Sequence, residues 1–341
     1  MKLAYLSFTE KGFALAKTLA DTLGGSAMRC GQPDSLQEWT KKQFSEADGL
    51  IFVGAVGIAV RAIAPYLQKK WKDPAVVAID ETAQFAIPLV SGHLGGANSL
   101  ARAISAVCGA RAVITTATDV NGVFAVDDWA RCQGIYVADP EHIRIISGRL
   151  LAGTSIRLSS RWPIDGECPQ GVELTEDTDA DVMVSAWKEG KPVLSLVPKV
   201  AVLGIGCRKG IGEDVLEKVL QRFLDETGLR AEAICEVASI DLKKEEEGLI
   251  AFCRAHGWLF TTCSAQQLQN VPGEFTASAF VSEVTGVDNV CERSAVFVSG
   301  GSLCHKKIAC EGVTMAAALK PFFLDWNRMD ICPQNSLKED D

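Results

Sequence analysis

No two cysteines in this sequence stand at C-x-x-C spacing, although twelve are present. Cys304-His305 has no second pair at zinc-knuckle distance, so a zinc ribbon or finger gains no support. Most of the thiols adjoin apolar residues, as in Ala-Val-Cys108-Gly and Ala-Phe-Cys253-Arg. They read as reduced side chains packing as small hydrophobes, with a structural metal as the alternative. No segment holds about 18 uninterrupted apolar residues, the length a helical membrane span needs. The opening MKLAYLSFTEKGFALAKTLA is broken by charge and is followed by no small-residue cleavage site, so neither leader nor anchor is expected. A cytoplasmic location and no membrane partner follow as expectations. Basic excess is also missing. A net charge of −9 leaves no cationic footprint for a duplex, and nucleic acid is not an expected partner. Low-complexity tracts and solenoid repeats are absent as well.

What is present is an ordinary globular composition, with 48% hydrophobic and 23% charged residues in a chain of 341. Strand and helix signals alternate. Leu3–Ser7, Gly49–Val53, Ala75–Ile79 and Ala112–Thr116 read as strands. Gly12–Leu23, the segment through Ala64 and Asn98–Cys108 read as helices. Residues 126–198 are looser, with a helix over Ile143–Leu151 and strands near 155–158, 182–185 and 193–197. A second alternating stretch starts at Val200, with a helix from about Gly212 to Glu226 and a last strand predicted at Ser294–Val298. The pattern predicts two Rossmann-like α/β domains with mainly parallel sheets, joined through a smaller α+β middle region. The expected boundaries are 1–125, 126–198 and 199–325, followed by a flexible tail over 326–341.

Three glycine-rich turns follow strands, where open α/β sheets bind ligands. The first, Gly54-Ala55-Val56-Gly57, frees backbone N–H groups at a helix start. Arg61 beyond it serves either an acidic ligand or a surface carboxylate. The second is Ser91-Gly92-His93-Leu94-Gly95-Gly96-Ala97-Asn98. His93 there is either a packed side chain or a placed acid–base group. A Ser91 nucleophile is disfavoured, since G-x-S-x-G is missing. The third, Gly204-Ile205-Gly206-Cys207-Arg208-Lys209-Gly210, is neither a dinucleotide fingerprint nor a P-loop. Its two cations oppose the dipole of the next helix, which an anionic ligand would offset; a solvated basic turn is the alternative. Asp80-Glu81 and Asp119 are strand-end carboxylates, expected on the same sheet edge as the turns. They would act as base or orient His93.

The combination of GAVGIAVRAIAP, VVAIDE, PLVSGHLGGAN and TTATD with VLGIGCRKG, EVTGVDNVCERSAV and SGGSL resembles the CbiG family of cobalamin biosynthesis, the cobalt-precorrin-5A hydrolases. The resemblance runs from about residue 45 to 320 and is weakest in the middle. It implies hydrolysis of the ring-A δ-lactone of a cobalt-corrinoid substrate with release of acetaldehyde. It also implies no resident metal or other cofactor, since cobalt arrives in the substrate. Set against that chemistry, His93 is the candidate general base, and His93 or a strand-end acid, Asp80 or Asp119, is the candidate for shuttling a proton to the macrocycle. The N–H groups of either the Gly95-Gly96 turn or the Gly54-Gly57 turn would donate to an oxyanion, with Ser91 and Asn98 as further substrate contacts. Arg61, Arg208 and Lys209, with Gly206, would receive substrate carboxylates. Transient contacts with other pathway enzymes and a homodimer are further expectations. A non-catalytic corrinoid carrier is the alternative reading, and a nucleotide- or sugar-phosphate-binding enzyme is a third.

Overall fold

Leu3–Ser7, Gly49–Val53 and Ala75–Ile79 are apolar on both faces, the pattern of strands covered by helices on either side. All three are buried along their length. The structure, a computed structural model describing residues 1–328, builds them into the first of three main sheets. Its elements are β1 (Leu3–Ser7), α1 (Glu10–Leu23), β2 (Ser26–Arg29), α2 (Leu36–Glu46), β3 (Gly49–Val53), α3 (Val56–Ile63), β4 (Ala75–Ile79), β5 (Phe85–Val90), α4 (Ala97–Cys108) and β6 (Arg111–Ala112). The strand order is β2-β1-β3-β4-β5-β6. Local chemistry fixes the helix starts: Thr9 caps α1 through Gly12 N–H, and Ser35 with Glu38 forms a capping box on α2. β5 runs antiparallel to β4, and the short β6 runs parallel to β5. The strand expected over Ala112–Thr116 reduces to Arg111–Ala112, after which the chain turns toward α5 (Ala117–Asn121).

α6 (Val126–Cys132) leads into the middle sheet: β7 (Ile135–Val137), α7 (Ile143–Leu151), β8 (Ile156–Ser160), β9 (Ile164–Asp165), β10 (Val172–Leu174), β11 (Val182–Val184) and β12 (Leu194–Pro198). The order is β10-β8-β11-β12-β7, with β7 antiparallel and β9 outside the sheet.

The third sheet follows directly: β13 (Ala201–Cys207), α8 (Glu213–Thr227), β14 (Ile234–Ile240), α9 (Glu247–His256), β15 (Leu259–Cys263), α10 (Ala265–Gln269), α11 (Ala279–Thr285), α12 (Cys291–Ser299), β16 (Ser302–Cys310) and β17 (Val313–Leu319). Its order is β15-β14-β13-β17-β16. Ala186 and Val197 of the middle region share one core with it, and Trp187 Nε1 donates to His305 Nε2 at 2.7 Å.

Two expectations need correction here. Ser294–Val298 is not a strand but part of α12, whose buried residues Cys291, Ser294, Ala295 and Ser299 recur at helical spacing. The sheet position it would have filled belongs to the β16–β17 hairpin. Nor does the tail begin at 326. β18 (Leu324–Asp325) pairs with β9, and Trp326 stacks on Trp129 at 4.9 Å between ring centroids. Residues 329–341, the rest of the expected tail and Cys332 with it, lie outside the described residues.

Candidate active site

At the end of β5 the chain reverses within six residues. Ser91 takes a left-handed φ of 59° and Gly96 one of 84°. Gly96 N–H donates to the carbonyl of His93, Ala97 N–H to that of Ser91, and Asn98 N–H to that of Gly92. The loop is so tight that a Cβ on Gly95 would lie 2.3 Å from the Ser91 Cβ. These glycines therefore exist to close the turn. The N–H of Gly96 is taken up within the loop, which corrects the expectation that it faces a substrate oxyanion. The Ser91 hydroxyl is buried and makes no hydrogen bond among the described residues, so no base activates it.

The turn delivers His93 into a cluster of charges. Its Nε2 lies 2.8 Å from Oδ2 of Asp119, and its Nδ1 lies 3.3 Å from Oδ2 of Asp127. Only 14% of the His93 side chain is exposed. Burial alone would depress its pKa, but hydrogen bonding and charge from Asp127, then from Asp119, outweigh it and lift the pKa to about 9. Asp119 is bound in turn by Thr116, His93 and Arg102. Against the upward pull of burial, they hold its pKa at about 2. Asn98 Nδ2 donates to Thr116 Oγ1 at 2.9 Å and to Asp119 Oδ2 at 3.1 Å. SGHLGGAN and TTATD are thus two halves of one cluster. Both carboxylates favour the charged form of the ring, so the arrangement suits His93 to giving a proton better than to taking one.

Asp127 and Arg102 were not singled out from the sequence. Asp127 sits in the first turn of α6, beside Asp128, where an acidic residue is unremarkable for helix stability alone. Its second oxygen, Oδ1, is buried without a hydrogen-bond partner among the described residues.

The other predicted residues of this half lie elsewhere. Val53 is in register with Ile79, and Ile79 with Ala86, so Gly54, Asp80 and Phe85 share one edge of the sheet. Because β5 runs back along β4, Ser91 and His93 emerge at the opposite edge. Five-residue strands separate the two edges by about 15 Å. Asp80 is a turn cap: it accepts from the N–H groups of Thr82, Gln84 and Phe85 and from the Thr82 hydroxyl. Despite partial burial, the Thr82 hydroxyl and these N–H groups keep its carboxyl below the usual range. Arg61 is exposed, and its guanidinium reaches the carbonyl of Gly57 at 3.5 Å. The structure does not bring Gly54, Gly57, Arg61 or Asp80 to His93.

Gly206, Arg208 and Lys209 line a cavity of about 1350 Å³ in the third sheet, walled by β13, α9, α11 and the β16–β17 turn. Every residue lining it comes from position 206 or beyond. Arg208 lies across Gly312, where a Cβ would come within 3.0 Å of the Arg208 Cδ. Gly210 N–H is taken by Glu246 at 2.6 Å, and Glu246 pairs with Lys243 at 3.0 Å. A neighbouring carboxylate therefore already occupies the amide of that turn. Cys207 is a poor thiolate source, since burial pushes it up to about 11. The cavity exceeds the roughly 300–1,000 Å³ usual for drug-sized ligands. Among the described residues, no three His, Cys, Asp or Glu side chains converge as metal ligands.

Comparison with known proteins matches both halves. Residues 38–119 fit the family model described as cobalamin synthesis G N-terminal, and residues 201–318 fit cobalamin synthesis G C-terminus. The cobalt-precorrin-5A hydrolase of Salmonella typhimurium is 33% identical over 342 residues, covering 92% of this chain and 96% of the relative. That of Priestia megaterium is 31% identical, covering 82% and 80%. A solved cobalamin biosynthesis protein G homolog from Sulfolobus solfataricus aligns over 94% of this chain and 97% of its own, at 22% identity and a TM-score of 0.42.

Proposed function

The chain belongs to the cobalamin synthesis G family and is a cobalt-precorrin-5A hydrolase, and we propose that the third sheet's cavity receives carboxylates at one side of its substrate. The His93 cluster, which does not line that cavity, supplies the proton to the part of the substrate that projects from it. One observation carries the activity: identity to a named hydrolase is spread over 92% of this chain and 96% of that enzyme, so neither half is missing. The non-catalytic carrier is not favoured, because the relatives spanning the chain are named as hydrolases.

In the proposed reaction, water adds to the lactone carbonyl and the acyl–oxygen bond breaks. A carboxylic acid remains on the ring-A acetate and a hydroxyl on the extruded carbon. That hydroxyl loses its proton as the carbon–carbon bond to the macrocycle breaks, and acetaldehyde departs. The electron pair left on the macrocycle takes up a proton. An imidazolium with a pKa of about 9 is a competent donor at neutral pH. Asp119 and Asp127 hold the ring and its charge, while Asn98, Thr116 and Arg102 hold Asp119. Arg208 and Lys209 receive carboxylates of the substrate. Under this division, substitutions at His93 lower kcat, and substitutions at Arg208 or Lys209 raise KM.

The substrate brings its own cobalt, so the chain requires no resident metal or cofactor. No helix of the described residues is long and apolar enough to cross a membrane. The proposal places the chain in the cytoplasm, supported by the buried free thiols of Cys253, Cys263 and Cys291. Transient contacts with neighbouring pathway enzymes and a homodimer complete it; light scattering on the purified chain checks the dimer. The activity itself is tested by incubation with cobalt-precorrin-5A, trapping acetaldehyde and weighing the corrinoid product by mass spectrometry. Unchanged substrate would overturn it.

A further inference from the structure

Among the described residues packed on the third sheet, one wholly buried carboxylate has no salt-bridge partner. Glu292, in the first turn of α12, is 0% exposed. It accepts from Thr276 N–H at 2.7 Å, Thr276 Oγ1 at 2.9 Å, Asn289 Nδ2 at 2.9 Å and Lys307 N–H at 2.8 Å. Burying a charge is costly unless such bonds surround it. Here they tie together three pieces of chain: the segment leading to α11, the start of α12, and the edge strand β16.

Lys307 is the piece with a consequence for the cavity. β16 loses register with β17 between Leu303 and His305 and again between His305 and Ile308. Within that irregularity the Lys307 N–H turns to Glu292 instead of the sheet. Such irregularities re-aim a side chain. The Lys307 side chain lines the cavity, where Nζ donates to the Thr276 carbonyl at 2.8 Å and keeps two further donor positions.

Among the described residues, no carboxylate pairs with Lys307, Arg208 or Lys209. By contrast, three carboxylates of the cavity wall are engaged: Asp288 with Arg293, Glu246 with Lys243 and Glu245 with Lys244. The cations without a carboxylate partner among the described residues sit on different walls. Arg208 and Lys209 follow β13, whereas Lys307 is on β16, with β17 between them. Two strand spacings put at least about 10 Å between the two positions.

We propose that Lys307 is a second carboxylate receiver of the substrate cavity, facing the same ligand as Arg208 and Lys209, and that Glu292 is its positioning residue. This rests on the corrinoid reading of the cavity and adds to it a specificity: the site reads the spacing of free acids around the macrocycle, not its apolar surface alone.

The test compares two stable probes of one cobalt corrin core, cobyrinic acid with its carboxylates free and its heptamethyl ester. Binding to the full chain is followed by absorbance titration. Lys307→Met weakens the free acid about tenfold, the size of a lost charge-assisted hydrogen bond, and leaves the ester unchanged. Lys307→Arg restores the acid. Glu292→Gln puts an amide N–H against its donors and reproduces the acid-selective loss. With cobalt-precorrin-5A, Lys307→Met raises KM and spares kcat. Equal weakening of acid and ester, or no weakening of either, overturns the proposal. If the wild type binds and discriminates the probes but releases no acetaldehyde from cobalt-precorrin-5A, the hydrolase reading fails and this one stands.

Discussion

His93 Nε2 lies 2.8 Å from Oδ2 of Asp119, although the two residues are 26 positions apart and reach each other from different elements. Asp127 faces the other ring nitrogen, so both carboxylates favour the charged ring, and together they tie the β5–α4 loop to α5 and α6. The first prediction concerns stability against pH. A histidine whose pKa rises to about 9 on folding stabilises fully below its unfolded pKa near 6.5. That contribution is lost as pH climbs through 9, and a shift of this size corresponds to roughly 3 kcal/mol. Urea midpoints should therefore fall between pH 6.5 and 9 in the wild type. His93→Gln, less stable at pH 6, should show a flatter dependence over that interval. Parallel curves for the two proteins would refute the charged state.

Asp127 supplies a second, kinetic prediction. If His93 donates the proton, acetaldehyde release declines as His93 deprotonates, with an alkaline limb near its pKa of about 9. Asp127→Asn removes the carboxylate at Nδ1 and should move that limb down by about a unit or more. A limb that stays in place removes His93, or Asp127's hold on it, from the step.

Asp80 is predicted to matter only for folding. Its carboxylate closes the β4–β5 turn at the edge away from His93. Asp80→Asn should cost about 1 kcal/mol, as for one weakened hydrogen-bond acceptor, and leave kcat near that of the wild type. A large loss of kcat in a folded Asp80→Asn protein would restore it as a catalytic residue.

Gly95 tests whether the glycine loop is needed for its shape. A methyl group there would meet the Ser91 Cβ at 2.3 Å and the Ser91 carbonyl oxygen at 2.9 Å. Both belong to the loop itself, so relief requires moving it. Gly95→Ala should cost about 1–3 kcal/mol in denaturant unfolding and reduce kcat as His93 shifts. Unchanged stability would show the loop to be looser than this.

Much of this was legible in the residues. The SGHLGGAN and TTATD segments carry their chemistry locally, through tight turns and a histidine out of place in a glycine run. Their mutual contact was not legible, because it depends on the direction of β5. An apolar run has no direction, yet the spacing held a clue. Only five residues, Asp80 to Gln84, join Ile79 to Phe85, too few for a parallel crossover and enough for a hairpin. Reading that spacing would have put His93 and Asp80 on opposite edges. Asp127 carried no motif at all, since an acid in a first helical turn is ordinary. Ser294–Val298 misled for another reason: β-branched residues favour strands, but burial against β13 and β17 decided for a helix.

Oxygen labelling tests the central claim most directly. The chain is incubated with cobalt-precorrin-5A in H₂¹⁸O, acetaldehyde is trapped, and the corrinoid product is weighed. Acyl attack by water on the lactone places the label in the ring-A carboxylate, so acetaldehyde release should accompany a product carrying one ¹⁸O. No acetaldehyde, or acetaldehyde with an unlabelled corrinoid product, would contradict it.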